Sequence, residues 1–187
     1  MNKQRCEWCT SDPLYQHYHD HEWGRPVHDD RMLFELLILE GAQAGLNWLT
    51  VLKKREGYRA AFDNFNAEKI ARYDQEKIET LLTDSNIIRN RMKILSTINN
   101  ARAFLAIVDE FCSFNDFMWQ FVNYEPLLNH WSTQAEVPAV SQESEAMSKT
   151  LKKKGFSFIG PTICYAYMQS SGMINDHTKH CFLYHDN

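Results

Sequence analysis

The stretch DDRMLFELLILEGAQAGLNW, residues 29–48, decides the fold. Asp29 or Asp30 is suited to cap a helix that runs through Leu33, Leu36, Leu37 and Leu39 to Gly41, because a short acceptor side chain meets the unpaired N–H groups of a first turn. Gly41 and Gly45 then permit a sharp turn with Leu46 at its tip, and a second helix starts near Asn47 with Trp48, Val51 and Leu52 on one face. The same grammar continues along the chain. Asn66 caps AEKIARY, Asp74 caps QEKIETLLT, and residues 90–111 read as one long amphipathic helix through Ile94, Ile98, Ala101 and Leu105. Phe114–Val122 is a short aromatic helix, residues 141–154 form another that stops at Gly155, and Thr162–Ser171 form a last one that stops at Gly172. From Asn123 to Val140, a stretch carrying Pro126 and Pro138, the pattern fades into a connection expected to cross the surface. No segment alternates like a strand, and seven glycines and five prolines are too few for a turn-rich β fold. The expected architecture is all-α.

At 187 residues the chain suits one unit with a sizeable core. MNKQRCEWC contains no apolar core, so no secretory signal is expected, and no run reaches the roughly 18–20 apolar residues of a membrane span. A cytoplasmic setting is expected. There the five cysteines stay reduced, and those near histidines are tested first as metal ligands. The net charge of −4 supplies no global attraction to nucleic acid, so any such contact needs a local basic face. Lys53-Lys54-Arg55, the group Arg89, Arg91 and Lys93, and Lys152–Lys154 are the candidates.

Two Cys and two His make a tetrahedral set that zinc accepts, and Cys6 with His19 at one end of the chain and His177 with Cys181 at the other offer one. His177-x3-Cys181 is spaced as one helical turn, which would put both side chains on one face. Cys6-x2-Cys9 has zinc-knuckle spacing and competes with His19, and His17, His21 and His180 stand nearby in sequence. Four protein ligands leave no open position, so such a zinc would be structural.

Chemistry points to the turn after the first helix. Four aliphatic residues precede Glu40, so its carboxylate should emerge at the end of a buried helix, where desolvation raises its pKa. Trp48 lies within reach of it. Gly45-Leu46 could wedge into a duplex from which a nucleotide has been swung out. Trp8, Tyr15, Tyr18 and Trp23 add flat rings near the first metal candidates, and stacking contributes about 1–3 kcal/mol per base. Near the other end, KKKGFSFIGPT (residues 152–162) joins two helices through a hairpin that opens a helix N-terminus, a place suited to a phosphate.

Taken together, DPLYQHYHDHEWG (Asp12–Gly24), LEGAQAGLNWLTVLKKRE (Leu39–Glu56), IIRNRMKI (Ile87–Ile94), LKKKGFSFIGPTICYAYMQSSGMINDH (Leu151–His177) and His177-x3-Cys181 closely resemble the 3-methyladenine DNA glycosylase I family, in order and over nearly the whole chain. The resemblance implies a helix-hairpin-helix glycosylase fold and excision of 3-methyladenine from double-stranded alkylated DNA, and a site that faces DNA leads us to expect a monomer. It implies structural zinc on Cys6, His19, His177 and Cys181, with Cys9 a bystander. The segments 1–25 and 142–187 would then pack together around the metal beside a helical core over 29–123, as one glycosylase unit. By the same resemblance Glu40 is the catalytic residue, Glu40 and Tyr18 hydrogen-bond the extruded base, Trp48 and Trp8 line its pocket, and Tyr15 and Trp23 lie in or behind it. Gly45 and Leu46 would fill the gap in the duplex, and Phe158, Gly160 and Thr162 would hold the backbone.

The wider superfamily places an Asp two residues before the His of its Asp-x-His-like motif, where this chain has Asn175. Thr162 stands where lyase-competent relatives carry a lysine, so hydrolysis without strand cleavage is expected. N3-methylated adenine is cationic and already a good leaving group, so Glu40 acts by recognition and electrostatics rather than as a strong base. The alternative is a zinc-stapled helical module that binds DNA without catalysis, which would release no free base.

Overall fold

The computed structural model describes residues 3–184. Among them lie ten α-helices: α1 (Pro13–His21), α2 (Asp30–Gln43), α3 (Trp48–Leu52), α4 (Arg55–Ala61), α5 (Ala67–Ile70), α6 (Gln75–Thr83), α7 (Arg91–Phe111), α8 (Phe114–Trp119), α9 (Gln142–Lys153) and α10 (Pro161–Ser170). Their starts are written locally. Asp29, Asn47, Asn66, Asp74, Asn90 and Ser141 each accept the N–H three residues on, satisfying donors that a first helical turn leaves unpaired. Each such cap contributes about 1 kcal/mol. At the start of α1, Asp12 caps and Pro13 occupies the first helical position. That pairing was readable in the sequence but was masked by the run of histidines and aromatics after it.

The middle of α2 is buried around nearly its whole circumference, with Leu33, Phe34, Leu37 and Leu39 fully inaccessible. A helix apolar on all sides belongs inside, and α2 is enclosed by α3, α7, α8 and α10. It continues past the expected stop at Gly41 to Gln43. Gly41 serves close approach instead, since a Cβ there would sit 3.2 Å from the Phe158 carbonyl oxygen. The chain turns at Gly45, whose φ of +78° lies in the left-handed region.

The all-α expectation needs one amendment. Leu127–Leu128 and Ile174–Asn175 pair as two short parallel strands, β1 and β2. Strands of this length carry no alternation to read. Their hydrogen bonds, Leu127 N–H to Met173 O (2.9 Å) and Asn129 N–H to Asn175 O (3.1 Å), tie the connection after α8 to the segment after α10.

Candidate active site and metal centre

Trp8, Tyr15, Tyr18, Trp23, Glu40 and Trp48 come together around one cavity of about 200 Å³. Three local devices place them. Helix α1 carries Tyr15 and Tyr18, the final turns of α2 deliver Glu40, and the Asn47 cap starts α3 at Trp48. The rings pack on each other, Trp8 against Trp23 (4.9 Å between centroids) and Tyr15 (5.0 Å), and Tyr18 against Trp48 (5.5 Å). The indole N–H groups of Trp8 and Trp48 are buried without a partner among the described residues, an unusual condition for protein donors.

Glu40 is 4% exposed and makes no ion pair among the described residues. Burial pushes its carboxyl up to about 8, with the neighbouring Ser170 hydroxyl pulling the other way. Burial and the nearby Glu40 charge also push the Tyr18 phenol well above its ordinary range, so it stays a neutral hydroxyl. Gln43, Gln134, Ala166 and Gln169 complete the lining. Sequence reading passed over all four. Gln134 belongs to the connection expected only to cross the surface, and nothing in its local pattern signals that tertiary folding brings it here.

A second groove of about 210 Å³ adjoins the cavity, lined by Ala44, Gly45, Leu46, Thr162 and Ile163 and sharing Glu40, Gln43 and Ala166 with it. Leu46 is 42% exposed at the tip of its turn. Lys93 supports that turn from beneath, its Nζ donating to the carbonyls of Ala42 (2.8 Å) and Ala44 (2.7 Å). The hairpin between α9 and α10 is pinned as firmly. Asn100 bonds both the N–H and the carbonyl of Ser157, and Ser148 Oγ donates to Ile159 O (2.7 Å). Phe158 takes a positive φ of 54°, Gly160 caps α10, and Thr162 is exposed in the first turn.

Several of the expected basic contacts are occupied internally. Lys53 pairs with Asp12, Lys54 donates to Ser85 O, Arg55 is buried against Glu35 and Glu22, Arg91 pairs with Glu79, and Lys154 pairs with Glu110. Lys152 and Lys153 remain exposed beside the hairpin.

Behind the aromatic rings, Cys6, His19, His177 and Cys181 converge, all buried, with their ligand atoms within 4.8 Å of one another. Cys6 Sγ lies 3.5 Å from His177 Nδ1, and Cys181 Sγ lies 3.4 Å from both His177 Nδ1 and His19 Nε2. Metal bonds of about 2.0–2.3 Å in a tetrahedron set ligand atoms roughly 3.3–3.8 Å apart, so the spacing fits zinc. The outer partners fit as well. His19 Nδ1 meets Asp20 Oδ1 (2.9 Å), itself gripped by Arg5, and His177 Nε2 meets the Trp23 carbonyl (3.3 Å). Each contact directs the unprotonated ring nitrogen toward the sulfurs. Without a cation the two sulfurs cannot both ionise. The hydrogen bond between the two sulfurs favours the Cys181 thiolate and, together with burial, holds the Cys6 thiol neutral.

His177 and Cys181 do not share a helical turn. The segment is a run of turns, with Cys181 N–H bonded to Thr178 O (2.8 Å) and Asn175 Oδ1 holding the His177 N–H (3.0 Å). The pairing with β1 ends at Asn175, and beyond it the Lys179 N–H is taken by the Trp131 carbonyl (2.9 Å) rather than by a helical partner. Cys9 lies outside the cluster, its Sγ near the Tyr15 carbonyl (3.7 Å).

Comparison with known proteins gives a consistent result. The methyladenine glycosylase family profile matches residues 8–184. The chain is 50% identical over 184 residues to DNA-3-methyladenine glycosylase 1 of Escherichia coli (strain K12), covering 98% of both. A crystal structure of 3-methyladenine DNA glycosylase I superposes with a TM-score of 0.94 at 50% identity, covering 96% of this chain and 98% of the other. A structure of such an enzyme in complex with 3-methyladenine gives a TM-score of 0.92 at 38% identity, covering 95% and 96%.

Proposed function

The chain belongs to the methyladenine glycosylase family, and from that premise we propose that it hydrolyses the N-glycosidic bond of 3-methyladenine in double-stranded alkylated DNA, without a lyase step. The observation that carries this reading is Glu40, a carboxyl buried in an aromatic cavity with no cationic partner among the described residues. A buried charge is costly unless it is paired. N3-methylated adenine is a cation, and its entry between the rings of Trp8, Tyr15, Tyr18, Trp23 and Trp48 supplies the missing charge and draws the Glu40 carboxyl toward its ionised form. A neutral undamaged base does not. With the base held by Glu40 and Tyr18, water attacks C1′ and the glycosidic electron pair returns to the base, which leaves as neutral 3-methyladenine. The water proton passes to solvent. No lysine adjoins Gly160, where Thr162 stands, and Asn175 is occupied with the His177 backbone, so neither an imine nor an Asp-type base enters the reaction.

On this reading α9, the turn over residues 154–160, and α10 form a helix-hairpin-helix whose α10 N-terminus receives a backbone phosphate through Gly160 and Thr162, while Gly45 and Leu46 fill the vacated stack. The enzyme works as a monomer, in the cytoplasm. Among the described residues no helix is long and apolar enough to cross a membrane. Cys6, His19, His177 and Cys181 hold one structural zinc, which neutralises both thiolates and clasps the chain ends behind the pocket. Chelation should therefore lower the melting temperature before it changes turnover on the remaining folded enzyme.

The test is release of free 3-methyladenine from methylated DNA. Glu40→Gln should slow it by about a hundredfold, the scale of losing one preorganised electrostatic group, with zinc content and helicity unchanged. An unaltered rate overturns the role of Glu40. No release by the wild-type chain leaves a DNA-binding module without catalysis.

A further inference from the structure

Asp176 is buried at 1% exposure, and neither the metal set nor the reading of Glu40 uses it. Its oxygens accept four hydrogen bonds. Asn129 Nδ2 and Trp131 Nε1 reach Oδ1, each at 2.7 Å, and the Tyr165 hydroxyl and Gln169 Nε2 reach Oδ2, each at 2.6 Å. An indole N–H can only donate, so at least Oδ1 must accept. With both oxygens accepting, the Gln169 amide must turn its NH₂ toward Asp176. The amide oxygen is left for whatever else Gln169 faces. Gln169 lines the same cavity as Glu40, and Oε1 has no hydrogen-bond partner among the described residues.

An acceptor in a pocket wall calls for a donor on the ligand. The ring nitrogens of N3-methylated adenine carry no hydrogen, so the exocyclic amino group is the base's source of N–H bonds. It has two, enough for Glu40 and for a second acceptor. We propose that Gln169 is a specificity-determining residue, accepting at Oε1 from the exocyclic amino group of the extruded base, with Asp176 the positioning residue that sets its amide. This rests on the cavity being the base pocket. A purine with a carbonyl at that position would set oxygen against oxygen and be rejected, a repulsive element added to the attractive one.

The test is a cycle between protein and base, using free 3-methyladenine and 3-methylpurine, which lacks the amino group. The dissociation constants of both are measured for the zinc-loaded wild type, Gln169→Leu and Asp176→Asn. The wild type should prefer 3-methyladenine. Gln169→Leu should cut that preference roughly fivefold, the worth of one net hydrogen bond. Asp176→Asn should abolish or invert it by letting the Gln169 amide flip, with zinc content retained. A merely structural role would weaken both ligands equally or lower the melting temperature and leave the ratio intact. If Asp176→Asn misfolds, Gln169→Leu decides by itself, because its side chain is only partly buried. A wild-type ratio in Gln169→Leu overturns the inference and spares the pocket. Failure of the wild type to bind either base overturns both.

Discussion

Glu35 and Glu40 lie five residues apart on α2, and both are buried, at 3% and 4% exposure. Glu35 is met by Arg55 Nε at 2.6 Å and by Arg59 Nη2 at 2.7 Å, and Arg55 also reaches Glu22. Glu40 has no cationic partner among the described residues and lies among aromatic rings. The same residue type on the same helix therefore has two meanings. A buried carboxylate with its counter-charge present is part of the framework. One left without a counter-charge destabilises the empty protein and is complementary to a cationic ligand.

The contrast can be broken from the Glu35 side first. Arg55→Met strips the buried cation and leaves Glu35 and Glu22 with less compensation, and should cost about 3–5 kcal/mol. That corresponds to a fall of roughly 10 °C in melting temperature for a chain of this length. A change within a degree would mean that Glu35 does not depend on this partner. Glu40 should behave in the opposite way. Its folded pKa of about 8 lies above the ordinary 4.5, so the folded state holds a proton that the unfolded state has lost between those values. Stability from this group therefore falls as pH rises from about 4.5 to 8, by up to a few kcal/mol. Glu40→Gln removes that slope. The melting temperature of the variant relative to wild type should rise steadily between pH 5 and pH 8, and a flat difference would show that the carboxyl is paired after all.

Smaller effects sharpen the comparison. Tyr18→Phe keeps the buried ring and deletes the hydroxyl, so release of 3-methyladenine should fall about tenfold, the cost of one hydrogen bond to a charged ligand, with melting unchanged. An equal loss of stability would make the hydroxyl structural. Arg59→Met should cost about 1 kcal/mol or less, because Arg59 is 32% exposed and Arg55 still holds Glu35. Urea titration distinguishes this from the Arg55 variant.

Read along the chain, Glu40 was legible because four aliphatic residues lead into it, and Trp48 because it follows the Asn47 cap. The partners that give Glu35 its different role were not. Arg55 reads in sequence as the end of a basic run, Lys53-Lys54-Arg55, and in the fold Asp12, the Ser85 carbonyl and Glu35 each take one of these cations. Asp176 sits next to a metal-ligand candidate and reads as an ordinary loop residue, because its four donors come from Asn129 to Gln169 and meet only when β1 pairs with β2.

By itself the sequence determined where most helices begin, since a cap such as Asn66, Asp74 or Asn90 acts on donors only a few residues away. It also determined the donor chemistry available at the two ends of the chain. Tertiary structure alone decided which of these groups meet: which cations are used internally, that His177 and Cys181 converge through turns rather than a helix, and that the connection after α8 contributes Gln134 to the pocket wall. Caps depend on local geometry and can be read locally. Burial and pairing depend on neighbours more than a hundred residues away, as between Cys6 and His177.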